Sequence, residues 1–134
     1  MKKCIIFTDG GARGNPGPAG IGAVLLDEDG NVLKEISEYI GETTNNQAEY
    51  QALCAALHAA HDRGATDVVC YLDSELVVKQ MQRKYKVRDA GLQTQFVKAW
   101  NIASKFHHIS FHHIPREKNK HADRLVNQAI DAAR

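Results

Sequence analysis

The segment KCIIFTDGGARGNPGPAGIGAVLL, residues 3–26, contains the strongest indication of the fold. Its first part, residues 3–8, is apolar and rich in β-branched and aromatic side chains, which predicts a buried strand that ends at Asp9. Residues 10–20 contain five glycines and two prolines, a composition that predicts a loop. Residues 20–26 are apolar again and predict a second strand, so the chain opens with two strands that flank a glycine-rich loop.

After this segment, one more strand is predicted, followed by helices and strands that alternate. Asp-Gly-Asn predicts a hairpin turn within residues 27–31. Further strands are predicted over residues 32–40, 67–72 and 109–114. One helix follows the helix-start residues 43–46 and runs to about residue 63, and others are predicted over 74–83, 90–106 and 121–133. A basic connector over 84–89 and a polar loop over 115–120 lie between them. The order β-β-β-α-β-α-α-β-α predicts an α/β fold with one mixed sheet and helices on its faces, in a single domain over residues 1–134.

Composition is typical of a globular protein that contains one hydrophobic core. The 134 residues are 43% hydrophobic and 25% charged, and the formal net charge of +1 neither supports nor excludes a nucleic-acid partner. The widely spaced Cys4, Cys54 and Cys70 are expected to be buried free thiols. No long apolar stretch follows Lys2 and Lys3, so we expect a cytoplasmic protein.

Four carboxylates stand where predicted strands end or predicted helices begin. Asp9 and Asp73 follow strands, whereas Glu49 and Asp123 fall in the first turn of a helix. Ligand sites in open α/β sheets form outside the carboxyl ends of the strands. Carboxylates that converge there repel one another, and Mg²⁺, which prefers oxygen ligands and shares them with phosphate, compensates that charge. Each acid alone is equally well explained as a turn or helix-start residue, but together they favour a metal site for phosphodiester hydrolysis.

Four motifs, in order along the chain, resemble those of the type I ribonuclease H family. They are FTDGGARGNPGPAG at residues 7–20, TNNQAE at 44–49, Asp73-Ser74 after a strand, and NKHADRL at 119–125. The resemblance implies an RNase H-like fold, a five-stranded mixed sheet in which the first three strands are antiparallel and the last two are parallel to the first. It also implies an endoribonuclease that hydrolyses the RNA strand of RNA–DNA hybrids and leaves 5′-phosphate and 3′-hydroxyl ends.

The same resemblance implies roles for individual residues. By it, Asp9, Glu49, Asp73 and Asp123 would hold two Mg²⁺ or Mn²⁺ ions bridged by the scissile phosphate. The implied substrate contacts are Gly10, Gly11, Asn15, Thr44, Asn45, Gln47, Ser74 and Asn119. The residue types agree with this, because glycine lets the backbone approach a nucleic acid and backbone carbonyls accept hydrogen bonds from ribose 2′-hydroxyls. Two alternatives remain. The glycine-rich loop can be a plain surface turn, and Asn45 and Asn46 can serve only as helix caps.

Two features depart from the pattern of many members of that family. The basic helix with tryptophan that follows the third motif is absent, and the cations left there are Lys79, Arg83, Lys84, Lys86 and Arg88, around Tyr85. They are either contacts to the phosphates of the DNA strand, each adding salt-dependent affinity, or a solvated helix end. A histidine-bearing loop before the fourth motif is also replaced, which makes Arg116 a candidate catalytic helper and His121 its competitor.

Other functions remain to be weighed against a hybrid nuclease that acts as a monomer. A resolvase or a nuclease specific for double-stranded RNA would share the acids, but the glycine-rich loop and Thr-Asn-Asn-Gln favour ribose recognition. A catalytically inactive binding module predicts the loss of an acid, and none of the four is missing. A zinc site among His107, His108, His112 and His113 is disfavoured, since successive strand residues point to opposite faces.

Overall fold

A computed structural model describes residues 2–133, and its core is one five-stranded mixed sheet. The strands are β1 (Lys3–Ala12), β2 (Gly17–Leu26), β3 (Val32–Thr43), β4 (Asp67–Leu72) and β5 (His108–His113). Their order across the sheet is β3-β2-β1-β4-β5. β2 is antiparallel to β1 and to β3, whereas β4 is parallel to β1 and to β5. The mixed sheet and its strand directions therefore confirm the prediction.

Four helices and one short 3-10 turn make up the rest of the secondary structure that residues 2–133 form. They are α1 (Asn45–Asp62), α2 (Glu75–Met81), α3 (Ala90–Ala103), the 3-10 turn (Arg116–Lys118) and α4 (Lys120–Ala132). Helix α1 covers one face of β1, where Cys4 and Ile6 join Leu53 and Leu57 in the hydrophobic core. Helix α4 lies on the opposite face, where the hydroxyl of Ser37 in β3 donates to the carbonyl of Leu125 at 2.6 Å.

The predicted glycine-rich loop was wrong over most of its length. β1 continues to Ala12 and β2 begins at Gly17, so only residues 13–16 connect the two strands. Gly14 lies in this connection, whereas Gly10, Gly20 and Gly22 occupy strand positions where helices pack closely on one or the other face of the sheet. A Cβ on Gly10 would overlap the backbone carbonyl of Ala48 in α1, and a Cβ on Gly22 would overlap the carbonyl of Ala122 in α4.

The remaining boundaries differ from the prediction by a few residues. β3 extends to Thr43 instead of residue 40, pairing Gly17 with Thr43, while α2 and α3 each end earlier than predicted. Helix starts agree closely because side chains cap them: Thr44, Ser74 and Asp89 accept hydrogen bonds from backbone amides of the first turns of α1, α2 and α3. All three cysteines are free thiols, as predicted, but only Cys4 and Cys70 are buried, whereas Cys54 is half-buried. No helix within residues 2–133 is both long and apolar enough to cross a bilayer.

Candidate active site

Three acids from separate parts of the chain meet at one end of the sheet. Asp9 lies in β1 and Asp73 directly follows β4, and because these strands are parallel neighbours their carboxyl ends coincide. Glu49 comes from α1, in the second turn rather than the predicted first, since the helix begins at Asn45 after its Thr44 cap. One carboxylate oxygen from each of the three acids lies within 4.8 Å of the other two.

The positions of these carboxylates are fixed by hydrogen bonds from the surrounding chain. The backbone amide of Gly10 donates to Oε1 of Glu49 at 3.1 Å. The side-chain amide of Asn119 donates to the carbonyl of Thr8 at 2.8 Å and to Oδ2 of Asp73 at 3.2 Å, and Asn119 is only 1% exposed. Asn119 therefore positions Asp73 from within the protein instead of facing the open cleft, where it was expected to contact substrate.

Burial and mutual repulsion dominate the electrostatics of this group. Asp9 and Glu49 are each 7% exposed. Burial raises the pKa of Asp9 to about 7, a hydrogen bond with Glu49 acts against this, and the charges of Asp73 and Asp123 raise it further. Burial and then the charge of Asp9 also raise the pKa of Glu49 well above its usual value. The site thus favours added positive charge, either protons or cations.

The chemistry of the donors fits a hard divalent cation. The group offers only carboxylate oxygens, the ligands that Mg²⁺ and Mn²⁺ take. Oε2 of Glu49 is buried and has no hydrogen-bond partner among residues 2–133. A buried acceptor without a donor is unfavourable, and a bound cation would satisfy it. We conclude that Asp9, Glu49 and Asp73 are suited to hold such an ion.

The fourth predicted acid, Asp123, lies beside this group but not within it. It is in the first turn of α4, as predicted, and interacts with Asp9 closely enough to raise the pKa of that residue. Asp123, Arg116 and Ser74 line the same cleft of about 440 Å³ as the three acids. The structure therefore brings all four predicted carboxylates and Arg116 to one cleft.

The cleft continues along the glycine-rich strands and the start of α1. Oδ1 of Asn45 accepts from the amide of Ala12 at 2.8 Å, and Oδ1 of Asn15 accepts from the amide of Asn45 at 3.0 Å. Gly10, Gly11 and Asn45 line the cleft. The Thr44 hydroxyl is used as a helix cap, accepting from the amide of Gln47 at 3.2 Å.

Several residues behave differently from what the sequence suggested. His121 pairs with Glu35 on β3 and lines a separate pocket with Phe7, so within the described residues it does not face the cleft. Conversely, Arg13 and Asn127 were not predicted but line the cleft, where Arg13 donates to Asn127 at 3.2 Å. The position of Arg13 within the glycine-rich motif was the available signal for it, whereas Asn127 had none.

Comparisons with known proteins agree with this geometry. Residues 7–129 match the family described as reverse transcriptase-like. A bifunctional protein of Mycobacterium tuberculosis is 48% identical over 132 residues, covering 98% of this chain and 36% of that protein. This chain thus spans about a third of the length of the mycobacterial relatives that it matches.

A ribonuclease H of Chlorobium phaeobacteroides is 33% identical over 145 residues, with 97% of each chain covered. LC11-RNase H1, isolated from compost and solved with an RNA/DNA hybrid, has a TM-score of 0.93 at 54% identity, covering 97% of this chain and 98% of that one.

Proposed function

Since the chain belongs to the ribonuclease H family, we propose that it is an endoribonuclease that hydrolyses the RNA strand of RNA–DNA hybrids. The observation that carries this proposal is the meeting of Asp9, Glu49 and Asp73 within 4.8 Å in a cleft bordered by strand glycines. The relative crystallised with an RNA/DNA hybrid supports the choice of substrate.

Asp9, Glu49, Asp73 and Asp123 would together hold two divalent cations, Mg²⁺ or Mn²⁺. When bound, such ions supply charge compensation at a phosphodiester and a water with a lowered pKa. Three of the acids form the close group, and Asp123, whose charge acts on Asp9 from the start of α4, would contribute to a second site. Hydrolysis of the bond between phosphorus and the 3′-oxygen would leave 5′-phosphate and 3′-hydroxyl ends.

Recognition of the RNA strand would depend on the backbone next to Asp9. Gly10 and Gly11 line the cleft, and the absence of a side chain at Gly11 would let ribose 2′-hydroxyls approach the strand backbone. The Oδ1 atoms of Asn15 and Asn45 are occupied by backbone amides, which leaves their amide N–H groups to donate to sugars or base edges in a minor groove. Ser74, which lines the cleft, and Gln47, in the first turn of α1, would also contact the substrate.

Arg116 would act on the phosphate side of the reaction. It is exposed in the 3-10 turn before α4 and lines the cleft with the acids. A guanidinium there can donate to a non-bridging phosphate oxygen and stabilise developing negative charge. The cleft is built from one chain, which supports action as a monomeric single domain.

The test is cleavage of an RNA–DNA hybrid labelled on either strand, with Mg²⁺ or EDTA. We expect Mg²⁺-dependent cutting of the RNA strand alone, and no cutting of double-stranded DNA. The Asp9→Asn and Asp73→Asn variants should fold and lose activity, whereas Asp29→Asn, in the exposed β2–β3 turn, should match the parent. Preferential cleavage of double-stranded RNA or DNA would refute the substrate assignment. Ligation of the products without prior phosphorylation tests the proposed ends.

A further inference from the structure

One edge of the sheet, the outer side of β5, has backbone groups that no strand uses. β5 pairs with β4 on one side, and no strand within residues 2–133 pairs with its other side. The amide of Ile114 donates to the carbonyl of Leu72 in β4 at 2.9 Å. Because backbone groups alternate in direction along a strand, those of Ile109, Phe111 and His113 point to the open side. A row of such groups can pair with an added strand.

The sequence of β5 lacks the residues that usually protect an edge strand. Lysine, other charged side chains and proline discourage pairing with a further strand. The opposite edge strand, β3, carries such charges at Lys34, Glu35, Glu38 and Glu42. β5 reads HISFHH and contains no lysine, arginine, acid or proline. The edge of β5 is therefore the less protected of the two.

An apolar groove of about 500 Å³ follows this open edge. Trp100 and Ala103 of α3 line one side of it, and four consecutive residues of β5, 109–112, line the other. Trp100 is 38% exposed, whereas Met81 and Phe106, which also line the groove, are 2% and 7% exposed. An extended chain laid in the groove could pair with β5 and place alternate side chains against Trp100.

A side-chain amide already occupies part of the edge. Nε2 of Gln82, the C-cap residue of α2, donates to the carbonyl of Phe111 at 2.6 Å. Oε1 of the same side chain is buried and has no hydrogen-bond partner among the residues that the structure describes. A buried acceptor without a donor is unfavourable. Gln82 thus takes the place of a backbone amide of a neighbouring strand, and a strand that displaced it would release Oε1 to water.

The border of the groove is positively charged. The guanidinium of Arg83 lies 5.4 Å from the centroid of the Trp100 ring. Three exposed basic residues, Lys105, His107 and His108, lie just before β5 or at its start. None of the residues that line the groove is acidic. Electrostatic complementarity therefore favours a partner that carries acids next to its apolar residues.

We propose that the groove between β5 and α3 binds an extended segment of another protein by strand addition, and that this segment combines apolar and acidic residues and displaces Gln82. The free carbonyls of the edge accept hydrogen bonds, which a peptide backbone donates and a phosphate does not. Main-chain hydrogen bonds would supply affinity, and Trp100 would select an apolar side chain. The groove shares no lining residue with the candidate active-site cleft, so the inference does not rest on the proposed function.

The first test selects ten-residue peptides from a random phage-displayed library against the whole protein. The enriched peptides, synthesised and measured by fluorescence anisotropy, should carry an apolar residue with acids beside it. Their affinity should fall about tenfold or more for Trp100→Ala, because a large aromatic side chain at the centre of an interface contributes much of its binding energy. Val97→Ala, at a residue of α3 that is 52% exposed and outside the groove, should leave it unchanged. A selection that enriches only basic peptides, or none that depend on Trp100, would overturn the proposal.

The second test examines the backbone pairing. Methylating every second backbone nitrogen of an enriched peptide removes the donors on one side of an extended chain. One of the two alternating patterns should abolish binding, and the other should leave it within about twofold. Gln82→Ala should raise peptide affinity about fivefold, since the peptide no longer displaces a hydrogen bond of about 1 kcal/mol, whereas Gln95→Ala, outside the groove, should not. Equal effects of the two patterns would overturn strand addition, and an unchanged affinity of Gln82→Ala would overturn the displacement of Gln82.

The third test distinguishes other occupants of the groove. An RNA–DNA hybrid added in EDTA should leave the peptide bound, and the parent and Trp100→Ala should sediment alike. Displacement of the peptide by the hybrid would make the groove a nucleic-acid surface. A dimer of the parent that Trp100→Ala dissociates would make a second copy of the chain the occupant. Either result would overturn the proposal, whereas a parent that binds the peptide but cuts no hybrid would refute only the proposed function.

Discussion

Replacing Asp9 by asparagine should make the metal-free protein more stable while abolishing cleavage. The Asp9 carboxyl is buried against Glu49 and near Asp73 and Asp123, and this environment raises its pKa to about 7. Since the pKa is higher in the folded than in the unfolded state, folding favours the protonated form. The stability of the parent therefore falls as pH rises from about 4 to about 7 and stays low above that.

The size of the effect follows from the pKa. A rise from an ordinary value near 3.9 to about 7 corresponds to roughly 4 kcal/mol at about 1.4 kcal/mol per pKa unit. This is an upper limit, because Glu49 stays buried in the variant and is strongly coupled to Asp9. We expect about half of it, ~2 kcal/mol at pH 8, or about 8 °C in Tm for a domain of this size. At pH 5 the gain should fall to about one third of its value at pH 8.

The assay is urea denaturation in EDTA at pH 5 and pH 8. Asp29→Asn, at an exposed turn, controls for the change of an aspartate to an asparagine and should stay within about 0.5 kcal/mol of the parent. A gain for Asp9→Asn that is absent at pH 8, or equal at both pH values, would refute the argument. Added Mg²⁺ should stabilise the parent more than the variant, since the variant lacks one of the acids.

Three further outcomes are expected. Gly10→Ala should lower the free energy of unfolding by about 2–3 kcal/mol, since its Cβ would overlap the Ala48 carbonyl. Gly11→Ala should lower it far less, because the atom nearest to the added Cβ is 3.8 Å away. Urea denaturation compares the two variants. Asn119→Ala should lower the free energy of unfolding by about 1–3 kcal/mol and reduce kcat at least tenfold, because Asp73 loses the hydrogen bond from the Asn119 amide. An unchanged kcat would show that Asp73 does not need this hydrogen bond. Arg116→Ala should reduce kcat for hybrid cleavage by about tenfold or more, while His121→Ala, paired with Glu35 outside the cleft, should leave it unchanged; the reverse order would reassign the helper.

The acids and the sheet could be predicted because each leaves a local signal. Asp73 directly follows an apolar strand, and Thr44 and Ser74 are residues that cap helices, so boundaries at these points agree with the structure. Asp9 was predicted to end the first strand, but β1 continues past it to Ala12. The strand directions depended on the resemblance of the motifs, since hydrophobic periodicity does not distinguish a parallel neighbour from an antiparallel one.

The residues that sequence reasoning misplaced depend on contacts across the fold. Glycine and proline content predicted a loop over residues 10–20, but four of the five glycines there lie in paired strands, and helices approach Gly10 and Gly20 closely. Asn119 stands where a helix cap is expected, yet its side chain makes no cap hydrogen bond and reaches the Thr8 carbonyl, 111 residues away in sequence. Gln80 and Gln93 read as ordinary helix residues, because their partners in the connector follow no periodic pattern.

Gly10 and Gly22, where a helix leaves no room for a side chain, and the acids of the cleft should both be sensitive to substitution, but for different reasons. In a library of all single substitutions scored for both cellular abundance and turnover, changes at these two glycines should deplete the protein itself. Changes at Asp9 or Asp73 should leave plentiful protein that does nothing. Comparing the two scores would thus separate the glycines that allow the helices to pack closely from the acids that this packing brings together.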